Sequence, residues 1–133
     1  MAEAKLHLEV VTTEKRILET DCDSVSIPAS QGYVTILPEH TALISLLGTG
    51  TLTIVSGSKS ETLVVGGGFF EVSDNGVRIL AHLAQRPDQI DAAAARQEAD
   101  EARAALGKTA GEEQAAARRR LQRAEARLAV AKS

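Results

Sequence analysis

The stretch Arg86-Pro87-Asp88 divides the sequence into two segments with different hydrophobic periods. Before it, apolar residues recur at every second position, which is typical of half-buried strands. After it, they recur at intervals of three and four, which is typical of amphipathic helices. Pro87 cannot donate a ladder hydrogen bond and Asp88 can cap a helix, so the strands should end and the helices begin here. We therefore predict two domains, residues 1–86 and residues 87–133.

The first segment reads as a series of short strands. Leu6, Leu8 and Val10 alternate with polar residues, which places one side of the strand on a core. The same alternation returns at Val25 and Ile27, Val34 and Ile36, Leu52 and Ile54, and Val77 and Ile79. Turn residues separate these runs, and Asn75-Gly76 suits the positive backbone angles of a tight hairpin. Many short strands separated by turns favour a sandwich or barrel.

Gly66-Gly67-Gly68 leads into the strand-like run Phe69–Val72. Glycine loops that bind phosphate are followed by the N-terminus of a helix, and no helix is predicted after these glycines. A bulge, or the close approach of a neighbouring backbone, is therefore the expected use of these glycines.

The second segment is rich in alanine and predicts two helices. Asp88 can N-cap the first, with Asp91 three residues later in a position like that of a capping box. The seam residues are Ala92, Ala95, Ala99, Ala102 and Leu106 in the first helix, and Gln114, Ala117, Leu121, Ala124, Leu128 and Ala131 in the second. The short loop between them, flanked by glycines, predicts an antiparallel hairpin. Because alanine buries little apolar area, this hairpin should be weakly held and releasable.

The two helices differ in charge. Residues 88–106 contain five acidic and two basic residues, whereas residues 112–132 contain six basic and three acidic residues. The arginines of the second helix could pair with the first helix and keep the hairpin soluble. They could instead dock on an acidic partner when the hairpin opens.

Several classes of function are disfavoured by composition. A net charge of −3 and a pI near 5.6 argue against nucleic-acid binding. The sequence contains no run of eighteen apolar residues, so no membrane-spanning helix is predicted. The single cysteine, Cys22, excludes an internal disulfide. The three histidines have no ligand spacing to a cysteine or to a carboxylate cluster, and no nucleophile has an evident base. We therefore predict neither a metal site nor an active site.

Particular stretches connect the chain with a known family. These are Ile36-Leu37-Pro38-Glu39-His40-Thr41-Ala42-Leu43, then Gly67-Gly68-Phe69-Phe70-Glu71-Val72, and Asn75-Gly76-Val77-Arg78-Ile79. Together with the opening strand and the Ile90-Asp91 start of the hairpin, they resemble the epsilon subunit (epsilon chain) of bacterial F-type rotary ATP synthases. The resemblance extends in order along essentially the whole chain.

The resemblance implies a mainly β plus α fold: an N-terminal ten-stranded β-sandwich followed by a C-terminal antiparallel two-helix hairpin. It implies a non-catalytic rotor subunit of the central stalk, coupling the gamma subunit to the c-ring, with no cofactor. Such a subunit would be peripheral, at the cytoplasmic face of the bacterial inner membrane, without entering the bilayer. The implied rotor contacts are Ser30, Gln31, Gly32, Tyr33, Pro38, His40 and Leu43.

For the hairpin, the resemblance implies inhibition of ATP hydrolysis by extension towards the alpha and beta subunits. The matching basic residues are Arg118, Arg119, Arg120, Arg123 and Arg127. Some relatives bind ATP on the folded hairpin, and the positions that match are Ile90, Asp91, Arg123 and Arg127. Ala94 stands where that motif has an arginine, so ATP binding should be weak or absent.

Residue patterns alone leave a second function open. A free-standing β-sandwich adaptor, whose arginine-rich hairpin binds an acidic protein, would have the same periodicity and charge distribution. Co-purification with a gamma subunit distinguishes the two, because an adaptor should form no stable complex with it.

Overall fold

The computed structural model describes residues 5–131, which form a β domain followed by two helices. The strands are β1 (Leu6–Val11), β2 (Arg16–Cys22), β3 (Ser24–Ala29), β4 (Gly32–Ile36), β5 (Leu43–Leu46), β6 (Gly50–Ser56), β7 (Lys59–Ser73) and β8 (Gly76–Gln85). The helices are α1 (Ala92–Leu106) and α2 (Gly111–Val130).

The strands form a sandwich because the sheet folds over itself. Its order is β2-β1-β8-β7-β6-β3-β4, and β5 pairs with β7 outside this path. The first half of β7 pairs with β6 and its second half with β5, so the 15-residue strand serves both layers. Alternating side chains from both layers meet in one core, whose large members include Phe70, Leu8, Ile27, Ile36, Leu52 and Ile79.

β7 changes partners at Gly66–Gly68. Gly68 has φ +96, and a Cβ there would overlap the carbonyl oxygen of Leu80 on β8. The expected close approach of a neighbouring backbone is therefore what the structure contains. The strand count differs from the expectation: eight strands are formed within residues 5–131, not ten. Because β7 passes through the bend without interruption, it counts once although it contributes to two layers, and counting it twice would give nine strands.

The β7–β8 hairpin turn lies one residue earlier than the sequence suggested. Asp74 and Asn75 have φ of 51 and 62, whereas Gly76 already pairs with Ser73 in the ladder. Positive φ at both central residues identifies a type I′ turn. Asp and Asn tolerate this conformation because their short polar side chains bond locally.

The link to the helices also differs in detail. Pro87–Gln89 forms a short 3₁₀ turn, and the N-cap of α1 is Asp91, not Asp88. The Asp91 Oδ1 accepts the backbone N–H of Ala94 at 3.1 Å, which satisfies one of the open donors at the helix start. Within residues 5–131, neither helix has the length and hydrophobicity required to cross a membrane.

His7 is not isolated, contrary to the sequence interpretation. Its Nδ1 lies 2.8 Å from Asp21 and its Nε2 2.7 Å from Glu19, both on the neighbouring strand β2. Hydrogen bonds to Asp21 and then Glu19 raise the pKa of the imidazole above its ordinary value. In the part of the chain that the structure describes, no group of three or more His, Cys, Asp or Glu side chains is arranged so that it could hold a metal ion.

Candidate functional site

The predicted rotor contacts lie in two segments at opposite ends of β4. The tight turn between β3 and β4 contains Ser30 and Gln31, and Pro38 and His40 belong to the loop that follows β4. Five strand residues separate them, a distance of roughly 16 Å at about 3.3 Å per residue. The structure therefore does not bring these residues together into a single cluster.

The first segment projects from the sandwich but is anchored at both sides. Ser30 donates its backbone N–H to the carbonyl of Leu46 on β5 at 3.3 Å. The Tyr33 hydroxyl accepts the N–H of Thr51 on β6 at 3.0 Å, reaching across β3, while its side chain remains 61% exposed. An aromatic ring held at its polar end presents a rigid surface to a partner.

The second segment begins with a turn at Leu37–His40. The backbone N–H of His40 donates to the carbonyl of Leu37 at 3.2 Å, and Glu39 has a φ of 71. Pro38 is half-buried, whereas His40 is exposed. The loop then enters β5 at Leu43, whose side chain packs on the sandwich core.

Between these two segments lies an exposed apolar patch that the sequence analysis missed. Ile44 is 70% exposed, Leu46 65% and Phe69 44%. Leu46 is directly opposite Phe69 across β5 and β7, and Ile44 lies two residues away on the same side of the sheet. The pair Phe69-Phe70 is the feature of the sequence that could have indicated this patch. Two adjacent residues of a strand cannot both face the core, so one of the two rings had to be exposed.

The hairpin is held together by alanines and ion pairs. Buried alanines of α1, namely Ala95, Ala99 and Ala102, pack towards α2, where Ala117 and Ala124 are buried. Arg120 bonds through Nε to Glu98 at 2.6 Å and lies 3.6 Å from Glu101. The hydrogen bond from Arg120 lowers the pKa of the Glu98 carboxyl below its ordinary value. For Arg120, the pairing interpretation is therefore confirmed.

A second side of α2 packs on the sandwich. Ala126 and Val130 bury Val64, which is 0% exposed, with Leu83 and Ile90 partly buried beside them. Val64 lies between the core residues Leu63 and Val65 in β7, so its side chain points out of the sandwich and is covered by the helix. This contact was not anticipated, because three consecutive buried residues hide the strand's alternation.

The remaining arginines of α2 do not all lie on one face of the helix. Arg127 donates through Nε to the Gln85 Oε1 at 2.7 Å, which ties the helix to the end of β8. Arg119, Arg123 and Arg127 line a cavity of about 430 Å³ between α2 and the sandwich, together with His82. Arg118 is exposed on another side of the helix.

The residues that match the ATP-binding motif have structural contacts here. Asp91 caps α1, Ile90 packs beside Val64, and Arg127 bonds Gln85. Arg123 lines the cavity, and Ala94 presents only an exposed methyl group. The set therefore contains no cation on the first helix, because position 94 is an alanine.

Comparison with known proteins identifies the family. Residues 5–87 match the ATP synthase, Delta/Epsilon chain, beta-sandwich domain family. The chain is 42% identical over 127 residues to the ATP synthase epsilon chain of Solibacter usitatus, covering 95% of each protein. The chain belongs to the ATP synthase epsilon chain family.

Other comparisons agree with this epsilon chain assignment. The ATP synthase epsilon chain of Nitratidesulfovibrio vulgaris is 40% identical over 129 residues, with 96% of each chain covered. A chain in the cryo-EM structure of the Euglena gracilis mitochondrial ATP synthase, determined with OSCP, F1 and c-ring, has the same fold, with a TM-score of 0.83 and 24% identity over 92% of this chain and 79% of that one. A chain of the Tetrahymena thermophila central stalk and c-ring structure is more distant, with a TM-score of 0.55 and 19% identity over 67% of this chain and 72% of that one.

The comparisons and the fold confirm three predictions from the sequence. These are the epsilon-type identity, the β-sandwich followed by a helical hairpin, and an accessory, non-catalytic role as one chain of a larger enzyme complex. The roles of individual residues remain predictions.

Proposed function

We propose that this epsilon chain is a rotor subunit of the central stalk, whose sandwich joins the gamma subunit to the c-ring. In this proposal residues 1–86 provide the anchor and residues 87–133 provide regulation. The observation that supports it most is the apolar patch of Ile44, Leu46 and Phe69, flanked by the two predicted contact segments. The complex would hold the chain peripherally at the cytoplasmic face of the bacterial plasma membrane.

The apolar patch is assigned to the gamma subunit. Its side chains project from two paired strands, so the surface is ordered before binding. Exposed apolar groups clustered on one side of a small domain are typical of a lasting protein interface. The turn at Leu37–His40 extends this surface at one end, since Leu37 is itself 56% exposed.

The turn at Ser30–Gln31 is assigned to the c-ring. It is polar and narrow, and the Tyr33 ring, anchored through its hydroxyl, follows after Gly32. Such a projection fits the polar ends of neighbouring subunits better than an extended apolar surface would. The patch and the turn would thus hold two partners at once, which is the requirement for transmitting torque.

The hairpin is proposed to move as an inhibitory arm. α2 packs against β6 and β7, and its apolar contact with the sandwich is the small cluster of Val64, Ala126 and Val130. Arg86 fixes the start of the linker, because its Nη2 donates to the carbonyl of Ile17 at 3.0 Å. Release of α2 would therefore pivot between Arg86 and Asp91. It would break the bond between Arg127 and Gln85 and carry Arg119, Arg123 and Arg127 towards acidic segments of the alpha and beta subunits.

Deletion of residues 87–133 tests the inhibitory role. The assembled synthase carrying the shortened chain should hydrolyse ATP faster than the intact complex, because no arm can enter the catalytic part. ATP hydrolysis is measured with and without a proton gradient. Equal rates under every nucleotide and gradient condition would defeat the inhibitory role and leave the coupling role untouched.

A point variant that loosens α2 should slow ATP hydrolysis, which is the opposite of the effect of the deletion, and a second variant is its control. Val130→Asp places a charge in the contact with Val64, so the arm should leave the sandwich more readily and inhibition should increase. Ala129→Asp adds the same charge one residue earlier, at an exposed position of the same helix turn, so it shares the unfavourable charge at the helix end but leaves the contact with Val64 intact, and its effect should be smaller. Similar inhibition in the two variants would argue against release of α2 as the controlling step.

We further propose that the folded hairpin binds ATP weakly or not at all. The cation expected at position 94 is absent, and Arg127 is already bonded to Gln85. Loss of one charged phosphate contact typically weakens binding about tenfold to a hundredfold. Isothermal titration calorimetry of the isolated protein should detect no micromolar binding, and Ala94→Arg is the gain-of-binding control. A micromolar Kd for the unmodified chain would overturn this proposal.

A further inference from the structure

The turn at Leu37–His40 has an unusual backbone for its sequence. The bond from His40 N–H to the Leu37 carbonyl closes a four-residue turn with Pro38 and Glu39 in the central positions. Proline cannot adopt a positive φ, and Glu39 has a φ of 71. This combination defines a type II turn, in which the third residue is normally glycine.

A type I turn would be the ordinary choice for this sequence. It accepts proline at the second position and most residues, including glutamate, at the third without a positive φ. The two turn types differ in the orientation of the central peptide, which here joins Pro38 to Glu39. Something outside the turn must therefore favour the flipped peptide enough to offset the left-handed conformation of Glu39.

Asn75 provides that interaction. Its Oδ1 accepts the backbone N–H of Glu39 at 2.6 Å, a bond that requires the N–H to point away from the direction it has in a type I turn. Asn75 is itself fixed in the two-residue turn between β7 and β8, with a φ of 62. Its carbonyl also accepts the N–H of His7 at 2.8 Å, which ties that turn to β1.

We propose that Asn75 is a positioning residue, which sets the partner-facing turn Leu37–His40 in its type II form. Through this hydrogen bond, the rigid β7–β8 hairpin determines where Leu37, Glu39 and His40 present their side chains. The turn then adjoins the patch of Ile44, Leu46 and Phe69 as one preformed surface. The part of the inference that concerns binding rests on the proposed function, whereas the turn conformation does not.

The test compares Asn75→Gly with Asn75→Asp. Glycine keeps the left-handed φ of the hairpin turn and removes the acceptor, whereas aspartate keeps an acceptor oxygen. In the full-length chain, a strong NOE between the Pro38 Hα and the Glu39 amide proton reports the type II turn. We expect this NOE in the unmodified chain and in Asn75→Asp, and we expect its loss in Asn75→Gly at unchanged global stability.

Binding to the isolated gamma subunit–c-ring assembly gives the second readout. Asn75→Gly should weaken the affinity about threefold to tenfold, which corresponds to the typical effect of one hydrogen bond. In a Glu39→Gly background the same substitution should have little effect, because glycine adopts the type II turn without assistance. If Asn75 only stabilised the fold, Asn75→Gly would weaken the affinity in the Glu39→Gly background as well.

The outcomes separate the inference from the proposed function. Retention of the NOE in Asn75→Gly, or an equal loss of affinity in both backgrounds, would overturn the positioning role. Failure of the unmodified chain to bind the assembly would contradict the proposed function, and the NOE would still decide the turn conformation.

Discussion

Gly68→Ala is expected to destabilise the sandwich by about 3 kcal/mol or more. The residue has φ +96, beyond the left-handed range that other residues tolerate, and a Cβ would overlap the Leu80 carbonyl oxygen. That oxygen belongs to the backbone of β8, so it cannot move without breaking the ladder with β7. Since the free energy of unfolding of such domains is roughly 5–15 kcal/mol, this substitution would remove a large part of it.

Urea denaturation followed by circular dichroism measures this effect, and Gly57→Ala is its matched control. Gly57 has φ +61 in the β6–β7 turn, and a Cβ there would meet nothing within 4 Å. Its substitution should cost about 1–2 kcal/mol, the typical left-handed penalty alone. Equal losses in the two variants would mean that the close approach to β8 has no energetic weight.

Leu46→Glu is expected to abolish most of the binding to the gamma subunit. The side chain is 65% exposed in the free chain, so its replacement should leave the fold intact. In the complex it would place a carboxylate opposite Phe69 at the centre of the apolar patch. Residues at such central positions typically contribute 2 kcal/mol or more, so the Kd should rise about 30-fold or more.

Surface plasmon resonance with immobilised gamma subunit provides the measurement. Ser58→Glu is the control, because it adds the same charge at an exposed turn residue of the β6–β7 hairpin. The control should bind as the unmodified chain does. If Leu46→Glu binds with unchanged Kd and unchanged stability, the patch is not the gamma-binding surface.

The fold class could be predicted because periodicity is a local property. Alternation at Leu6, Leu8 and Val10 places these side chains in the core, and the change of period after Arg86 precedes the helices that form. The alanine seam was equally readable, since Ala95, Ala99 and Ala102 are the residues that α1 buries. The type of element followed from the sequence at each of these points.

Features that depend on strand pairing could not be predicted. His7 meets Glu19 and Asp21 only because β1 and β2 are paired in one particular register. Leu46 and Phe69 form a patch because β5 pairs with the second half of β7, after the bend at Gly68. The alternation within a strand does not specify its register with a partner, whether the two strands are consecutive, as β1 and β2 are, or further apart, as β5 and β7 are.

The arginines of α2 illustrate a different limit. The number of arginines and their positive charge are evident from the sequence. Their positions around the helix place them in three different environments. Arg120 faces α1, Arg127 bonds to Gln85, and Arg118 is exposed. Which residues a release of α2 would free depends on the packing of Ala126 and Val130 against Val64, which charge patterns do not reveal.

The most direct test of the rotor assignment is co-purification of the full-length chain with the gamma subunit and c-ring of its own ATP synthase. Size-exclusion chromatography with multi-angle light scattering would report the mass and stoichiometry of the product. A stable complex containing one copy of this chain per gamma subunit is the expected result. A chain that elutes alone, with gamma and c-ring assembled without it, would contradict the rotor assignment and favour the free-standing adaptor.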